Sequence, residues 1–360
     1  MRTSLAFTLI NFNFFFPHSI SYGSPFKYFT MVIEHNRKVY KGIYLYYITM
    51  VDKIEQTQNT DEKKIICPKC GSQNVIKWTK RTTQNRGLIQ RYKCKDCGKT
   101  FTLDDGFFRM RNAPQKVTCA IDLYYRGVST RKVQEHLGVF YPHNATHKSV
   151  YKWVVKYAKM ISQFTNKLKV NIGQEAQADE IEFHRRKSSK ANLGTEKNFF
   201  IDSICPQTKF LISSEYMRTR SCRDIKTIML RIKERADNQI KVVTTDGWNG
   251  YVSTIKKVFG YSLTEKKFNV YHNRNVAIKD EGFNYPIERF HNSVRARTKT
   301  MRGFHGSISS ANAIMKGFEI YYNFITKHQT IKCCPYELAI PNLKLNSNNK
   351  WLELIQMSKL

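Results

Sequence analysis

The chain has 360 residues, enough for two or three domains that each bury a core. Its hydrophobic fraction of 41% is that of a globular protein and excludes a largely disordered one. A formal net charge of +32, from 60 lysines and arginines against 28 acids, favours a polyphosphate partner through counterion release. Attraction to an acidic membrane, or solubility alone, is the alternative. The 20 tyrosines and 23 phenylalanines favour nucleic acid, because aromatic rings stack on unpaired bases.

Residues 1–64 are predicted to form an atypical, mobile leader. Residues 5–10 are apolar and loosely resemble a secretory signal, but Asn11 and Asn13 interrupt the stretch and no clean cleavage site follows. Pro17 and His18 prevent a membrane span, which needs about 20 apolar residues. We expect translation to begin at Met1, Met31 or Met50, with the later positions favoured, and expect no membrane association.

Four of the nine cysteines form two Cys-x-x-Cys pairs, each followed by glycine. Residues 75–78 and 88–92 between the pairs predict the strands of a hairpin. Four thiolates make a closed tetrahedral zinc site, which stabilises a fold and takes no part in catalysis. A redox role for one pair is the alternative, and two matched pairs argue against it. The sequence therefore predicts a zinc ribbon at residues 65–104, with these zinc ligands: Cys67, Cys70, Cys94 and Cys97.

Residues 113–163 are predicted to form a helix-turn-helix domain. Apolar periodicity predicts helices at 115–125, at 131–137 with Gly138 ending the helix, and at 148–161. Two helices joined by a short glycine-containing turn are typical of this DNA-binding motif. An ordinary three-helix bundle with a solvated basic face is the alternative. The third helix presents the predicted DNA-binding residues Lys148, Lys152 and Lys156.

Residues 174–330 alternate strands and helices. Three strands are predicted at 176–184, 198–204 and 209–216, then a helix, a short strand at 240–245, a helix, and a late helix at 284–299 that carries an acid. This order predicts a mixed α+β domain of the ribonuclease H-like plan. Residues 331–360 are predicted to be a tail.

Three acids stand in sequence contexts that suggest a shared metal site. Asp179 lies among residues of a strand that favour burial, and Asp246 ends a short apolar strand, where open α/β sheets place their sites. Glu288 shares a helix face with Asn284 and Arg295. Each has a plain alternative: a strand-end acid satisfied by backbone amides, an Asp-Gly turn, and a solvated salt-bridge face.

Converging carboxylates repel one another unless cations neutralise them, and their hard oxygens select Mg²⁺ or Mn²⁺. Two such ions activate the attacking oxygen and stabilise the leaving one in phosphoryl transfer. Water would serve as the nucleophile for DNA cleavage, and a DNA 3′-hydroxyl would serve for joining.

The segments Thr-Thr-Asp-Gly-Trp-x-Gly-Tyr at 244–251 and Asn-x-x-Ile-Glu-Arg-Phe-His at 284–291, with Asp-Glu at 179–180, resemble those of insertion-sequence DDE transposases with an integrase-like catalytic domain. The resemblance covers residues 67–329, with the zinc ribbon and helix-turn-helix in the order of that family. It implies that Asp179, Asp246 and Glu288 are the catalytic, Mg²⁺-binding acids. Asn284 and Arg295 correspond to flanking positions that contact DNA. The chain departs from compact relatives by an apparent insertion at 256–281, which leaves Glu281 as a poorer substitute for Glu288.

The first hypothesis is therefore an active transposase that binds the terminal inverted repeats of its element and target DNA. It would act as a homo-oligomer in a prokaryotic cytoplasm, associated with the nucleoid. The second is an inactive or domesticated DNA-binding regulator, which would bind DNA without metal-dependent turnover. A nuclease acting on RNA–DNA hybrids is the third, since it shares the fold.

Overall fold

A computed structural model describes residues 65–83, 87–108, 110–141, 145–186, 195–237, 239–275, 285–299 and 307–359. The predicted leader, the turn at 84–86, Glu281 and Asn284 lie outside these residues.

The zinc-ribbon region contains the predicted antiparallel hairpin and one additional short strand. Strands β1 (Val75–Thr83) and β2 (Gly87–Cys94) pair from Val75–Cys94 to Thr83–Gly87, and β3 (Thr100–Phe101) pairs with β2. The hairpin is longer than predicted at both of its ends. It thereby brings Cys94 next to the turn that carries the first cysteine pair.

Three helices follow, with bounds close to those predicted: α1 (Pro114–Tyr125), α2 (Thr130–Phe140) and α3 (His147–Thr165). Ser129 caps α2 by accepting a hydrogen bond from the amide of Lys132, and Thr146 caps α3 in the same way through Ser149. The prediction that Gly138 ends α2 is wrong, because the helix continues to Phe140. A glycine inside a helix costs only about 1 kcal/mol relative to alanine, which the two N-caps and core packing offset.

The central sheet has five strands in the order β10-β7-β4-β5-β6. Strand β5 runs antiparallel to both of its neighbours, β4 and β6, whereas β4, β7 and β10 run parallel to one another. This mixed order confirms the predicted ribonuclease H-like plan. Its strands are β4 (Glu175–Arg186), β5 (Thr195–Ile204), β6 (Leu211–Met217), β7 (Val242–Asp246) and β10 (Tyr271–Asn275).

Helices α4 (Cys222–Arg235) and α5 (Asn249–Phe259) connect these strands, and α4 buries an apolar stripe that includes Ile225 and Ile232. The segment at 256–281 is more than an insertion, which corrects the sequence interpretation. Its described residues, 256–275, hold the end of α5, a two-stranded ribbon of β8 (Tyr261–Ser262) and β9 (Lys267–Phe268), and the edge strand β10 of the central sheet. Strand β10 was missed because its sequence, Tyr-His-Asn-Arg-Asn, is polar.

Helix α6 (Tyr285–Lys299) carries the late acid, and α7 (Ile308–Ile320) continues into a π-helical turn at Tyr321–Ile325. The amide of Asn323, in that turn, pairs with both backbone groups of Leu211, at 2.9 and 3.0 Å. Asn312 accepts from the backbone amide of Tyr216 at 3.0 Å. Since β6 is an edge strand, these two asparagines satisfy edge groups that the sheet leaves unpaired.

A buried cluster of charges joins α7 to the sheet and to α4. Lys316 Nζ lies 3.0 Å from Glu215 Oε1 and 3.1 Å from Glu319 Oε2. Arg235 Nη1 lies 3.4 Å from Glu319 Oε1, and Arg235 Nη2 donates to the backbone oxygen of Thr165, the last residue of α3, at 3.2 Å. Burial lowers the pKa of Lys316, and the charge of Glu319 and its hydrogen bond oppose that shift. The cluster thus connects the helical region to the central sheet.

The C-terminal residues predicted to be a tail contain two helices, α8 (Pro335–Ala339) and α9 (Lys350–Met357). The indole of Trp351, on α9, donates to Asp122 Oδ1 of α1 at 3.1 Å and stacks on Tyr125. These helices therefore belong to the same packed unit as α1. Among the described residues no helix combines the length and apolar character that crossing a membrane requires.

Candidate functional site: a carboxylate cluster and a four-cysteine centre

The four predicted zinc ligands converge at the base of the ribbon. All four Sγ atoms lie within 4.8 Å of one another, with Cys67–Cys97 and Cys70–Cys94 at 3.6 Å. A Zn–S distance of about 2.3 Å in a tetrahedron requires sulfur–sulfur edges of about 3.8 Å, so the spacing fits zinc. Four thiolates complete the coordination of a tetrahedral zinc ion, so the site needs no further ligand, and the spacing of the sulfur atoms does not require disulfide bonds.

Backbone geometry around the cysteines favours thiolates. Gly71 and Gly98 adopt φ of 72° and 69°, in the left-handed region that glycine enters at little cost. Burial raises the pKa of Cys67, but the amides of Cys70 and Lys69 outweigh it and lower that pKa to about 6. The amide of Cys97 lowers the pKa of Cys94 in the equivalent way. Both turns therefore prepare a charged sulfur for a cation.

The three lysines predicted to contact DNA lie along one exposed stripe of α3. Lys148 and Lys152 are exposed, and Lys156 is exposed with its Nζ 4.9 Å above the ring centre of Tyr157. The opposite face of α3, which includes Trp153 and Ile161, is buried. The helix can therefore present its cations outward while its apolar face holds the core. That they touch DNA stays a prediction.

Asp179 and Asp246 meet at the edge of the central sheet. Strands β4 and β7 pair in parallel with Gln177 opposite Thr244, so two further residues along each strand set Asp179 beside Asp246 on the same face. Carboxylate oxygens of Asp179, Glu180 and Asp246 all lie within 4.8 Å of one another. The Asp246 side chain also accepts from the amide of Trp248 at 3.0 Å, which fixes its orientation. This donor set fits a hard divalent cation.

Asp179 is connected to the buried residue Asp202 through the side chain of His291. Asp202 lies directly opposite Asp179 on β5 and is fully buried. The imidazole of His291, on α6, bridges the two acids, with Nδ1 3.4 Å from Asp179 Oδ2 and Nε2 3.2 Å from Asp202 Oδ2. Burial raises the pKa of Asp202 to about 6. Burial lowers the pKa of His291, but hydrogen bonds to both acids outweigh it and raise that pKa to about 9.

Glu180 is held by two side chains. Its Oε1 accepts from Arg220 at 2.8 Å and its Oε2 accepts from the hydroxyl of Tyr251 at 2.6 Å. Burial raises the pKa of Glu180, and the charges of Asp246 and Asp179 add to the effect, while Tyr251 and Arg220 oppose it. The side chain is only 6% exposed, so it does not point to solvent. Both of its oxygens are already used, so it offers little free coordination.

Glu288 is not one of the three acids whose oxygens lie within 4.8 Å of one another. It is exposed on α6, one helical turn before His291, so the two occupy neighbouring positions on the helix surface. Because His291 contacts Asp179, this turn of α6 faces the acid pair. Arg295 is exposed on the same side and donates to Asn292 Oδ1 at 3.3 Å. Asn284 lies outside the described residues.

Sequence reasoning missed four residues of this site: Glu180 as an inward-facing acid, Asp202, Arg220 and the bridging position of His291. Asp202 had a usable signal, since it is a lone acid in the apolar strand Phe-Phe-Ile-Asp-Ser-Ile at 199–204. An unpaired acid in such a strand is costly, which points to a partner. Arg220 had no such signal in the sequence, because its guanidinium reaches the site from a loop. The guanidinium lies 5.2 Å from the ring centre of Trp248.

The strand order, together with an acid pair at adjacent positions of the neighbouring strands β4 and β7, defines a ribonuclease H-like unit with a candidate metal centre. Among solved structures, the Drosophila P element transposase strand transfer complex aligns at a TM-score of 0.31 and 9% sequence identity, over 74% of this chain and 80% of that chain. The curated proteins give no match.

The family described as Transposase, Mutator family, matches residues 108–279. This match covers just under half of the chain and confirms the resemblance to a transposase that the sequence motifs indicated. It includes Asp179, Glu180 and Asp246, whereas Glu288 lies beyond its end. The similarity suggests nuclease and strand-transfer activity, for which the carboxylate cluster is a suitable centre.

Proposed function

We propose that the chain is a DDE-type transposase that binds the ends of an insertion sequence and catalyses metal-dependent DNA cleavage and strand transfer. The observation that carries this proposal is the convergence of the Asp179 and Asp246 carboxylates at the edge of a ribonuclease H-like sheet. The family match over both residues supports it.

Asp179 and Asp246 would hold the divalent cations, with Glu288 as the third acid. Glu180 is the competing third ligand by proximity, but its oxygens are engaged by Arg220 and Tyr251. Glu288 is exposed and uncommitted to any ion pair within the described residues, and a change of side-chain rotamer would swing it toward the metal side of α6. Mg²⁺ or Mn²⁺, when bound, supplies charge neutralisation and activation of the attacking oxygen.

The surrounding residues position these acids. His291 holds Asp179 from one side, and the amide of Glu180 donates to Asp179 Oδ1 at 2.8 Å. Arg274 donates to the backbone oxygen of Gly247 at 2.9 Å, which steadies the loop after Asp246. Arg220 leaves part of its guanidinium exposed beside the acids, where it can contact a DNA phosphate.

The zinc ribbon at 65–104 and the helical region at 113–163 would bind double-stranded DNA, including the terminal inverted repeats. Zinc on the four cysteines would stabilise the ribbon, and the stripe of Lys148, Lys152 and Lys156 would contact DNA beside it. Joining two ends requires more than one active site, so we propose a homo-oligomer. The cytoplasm, in association with the nucleoid of a prokaryote, is the proposed location.

The test combines the purified full chain with DNA that carries a terminal repeat of its own element and with Mg²⁺. Cleavage at the 3′ ends and transfer to a target duplex are expected, and Asp246→Asn is expected to abolish both. Glu182→Gln, which removes an exposed acid from the same strand β4, serves as the matched control and should stay active. Sequence-specific binding without turnover would instead identify a DNA-binding regulator, and a preference for RNA–DNA hybrids would identify a nuclease.

A further inference from the structure

A cavity of about 430 Å³ lies between α6 and the π-helical turn at Tyr321–Ile325, and it is separate from the acid cluster. This volume is within the range of about 300–1,000 Å³ typical of small-molecule pockets. Six aromatic residues line it, and four of its lining residues are lysine or arginine. Among the described residues that line the cavity, none is acidic.

Three of the four cations that line the cavity have no acidic partner among the described residues. Lys209, Arg289 and Lys327 form no ion pair with an acid in the described part of the chain, and Arg289 and Lys327 are exposed. Lys209 adopts a left-handed backbone with φ of 58°, which is uncommon for a residue with a side chain. Burial lowers the pKa of His328, and the charges of Lys209 and Arg289 lower it further, which shows that these cations converge on one wall. The cavity therefore favours an anion.

The aromatic side of the cavity offers rings for stacking. Tyr322 packs edge-on against Phe290 with ring centres 5.1 Å apart, and against His328 at 6.0 Å. Tyr285 stands at the entrance with 59% of its surface exposed. Flat apolar rings next to unpaired cations suit a ligand that combines a planar base with a phosphate. A duplex presents its bases stacked inside and cannot fill such a concave site.

We propose that this cavity binds one unstacked nucleotide of a DNA strand, with its base against the tyrosines and its phosphate on Lys209, Arg289 and Lys327. The inference rests on the proposed function for the identity of the polymer. Helix α6 separates the cavity from the acids, because Phe290 lines the cavity while its neighbour His291 contacts Asp179. A helix is about 10–12 Å wide and a DNA strand rises about 3.4 Å per nucleotide, so the bound nucleotide lies a few positions from the phosphate at the acids.

The experiment measures binding in EDTA, so that it does not depend on catalysis. The full chain is titrated into a short 5′-phosphorylated single strand that carries 2-aminopurine, whose emission falls when the base stacks on an aromatic ring. Wild type is expected to quench the probe. Tyr285→Ala is expected to remove the quenching and to weaken binding about fivefold or more. Tyr261→Ala, an exposed tyrosine on β8, is the matched control and should behave as wild type.

The phosphate contact has its own pair of variants. Lys327→Ala is expected to reduce the slope of log Kd against log salt concentration by about 0.7, the single-strand value for one phosphate contact. Lys257→Ala, an exposed lysine on α5, should leave the slope unchanged. Circular dichroism confirms that each variant is folded.

The proposal is overturned if an oligonucleotide with an abasic site in place of 2-aminopurine binds as tightly as the probe, or if Tyr285→Ala quenches as wild type does. The outcome is distinguishable from failure of the proposed function, because Asp246→Asn should bind the probe normally. Quenching without any DNA cleavage would support nucleotide binding in the cavity and refute the proposed transposase activity. DNA cleavage without quenching would support the transposase activity and refute nucleotide binding in the cavity.

Discussion

His291 Nδ1 lies 3.4 Å from Asp179 Oδ2, while the other ring nitrogen lies 3.2 Å from the fully buried Asp202. One imidazole therefore couples a residue of the candidate metal centre to an acid inside the core. At pH 7 the stated pKa values, about 6 for Asp202 and about 9 for His291, leave both groups charged. The histidine thereby acts as the counter-charge that lets two acids face each other across adjacent strands.

Replacing this histidine is expected to destabilise the fold as well as the site. His291→Ala leaves Asp202 buried without a charged partner, a situation that typically costs about 3–5 kcal/mol. The double variant His291→Ala with Asp202→Asn should recover much of that loss, since the uncompensated charge is gone. Urea denaturation of the four proteins in this cycle gives the coupling energy. Equal stability of the single and double variants would contradict the ion-pair interpretation.

Glu288 and Glu180 are expected to fail in different ways. Glu288→Gln should lower strand-transfer activity at saturating Mg²⁺ by about a hundredfold or more, the scale for losing one group that stabilises transition-state charge. Glu180→Gln should instead raise the Mg²⁺ concentration for half-maximal activity by about tenfold, because it alters groups around the ligands. Metal titrations of cleavage separate the two. If the patterns were exchanged, Glu180 would be the third ligand.

The buried charge cluster makes a separate stability prediction. Lys316→Met leaves Glu215 and Glu319 without their shared cation and should lower the free energy of unfolding by about 3–5 kcal/mol. The exposed Lys257→Met is the matched control and should change it by less than about 0.5 kcal/mol. Urea midpoints measured for both variants decide the matter. If Lys316→Met left the stability unchanged, Arg231, which pairs with Glu215, and Arg235, which pairs with Glu319, would be sufficient partners for the two acids.

Removing zinc is expected to unfold the ribbon while leaving the five-stranded sheet intact. The ribbon has little apolar core of its own: Trp78 and Leu88 are 50% and 67% exposed. A strong chelator should therefore expose residues 65–104 to proteolysis and weaken duplex binding. Limited proteolysis with and without zinc checks this. Persistence of the undigested ribbon in chelator would show that the metal is dispensable.

Duplex binding should depend steeply on salt. A chain with a net charge of +32 that neutralises several phosphates gives a slope of log K against log salt of about −0.9 per contact. Lys148→Ala and Lys152→Ala should each make this slope shallower by about 1. Fluorescence anisotropy over a salt series measures it. A flat dependence would remove the electrostatic reason for assigning α3 to DNA.

Much of the architecture was predictable because it follows from local patterns of apolar and polar residues in the sequence. Alternating and apolar runs located β4, β5 and β7, and apolar periodicity located the three helices α1, α2 and α3. Polar β10 could not be found, since an edge strand needs no apolar face when its neighbour supplies the pairing. The helices at the C-terminus were missed for a related reason: their partner, Asp122 with Tyr125, lies more than 220 residues earlier.

The candidate site divides in the same way. Asp179 and Asp246 were recognisable from strand position, and the parallel register brings them together. Glu180 was missed as a residue of the site because its position depends on Arg220 and Tyr251, which bind its carboxylate and come from other parts of the chain. Only the folded arrangement shows that His291 reaches both Asp179 and Asp202, because that contact depends on how α6 crosses the sheet.

The asparagine amides that pair with β6 have a consequence for solubility. They occupy hydrogen-bonding groups that would otherwise be a template for a strand from another molecule, which is the usual route to sheet-mediated aggregation. Replacing both Asn312 and Asn323 with leucine would leave these backbone groups of β6 without hydrogen-bond partners. We expect such a variant to aggregate, as fibrils or as amorphous precipitate, without a loss of catalytic activity. The two asparagines therefore protect the protein against aggregation.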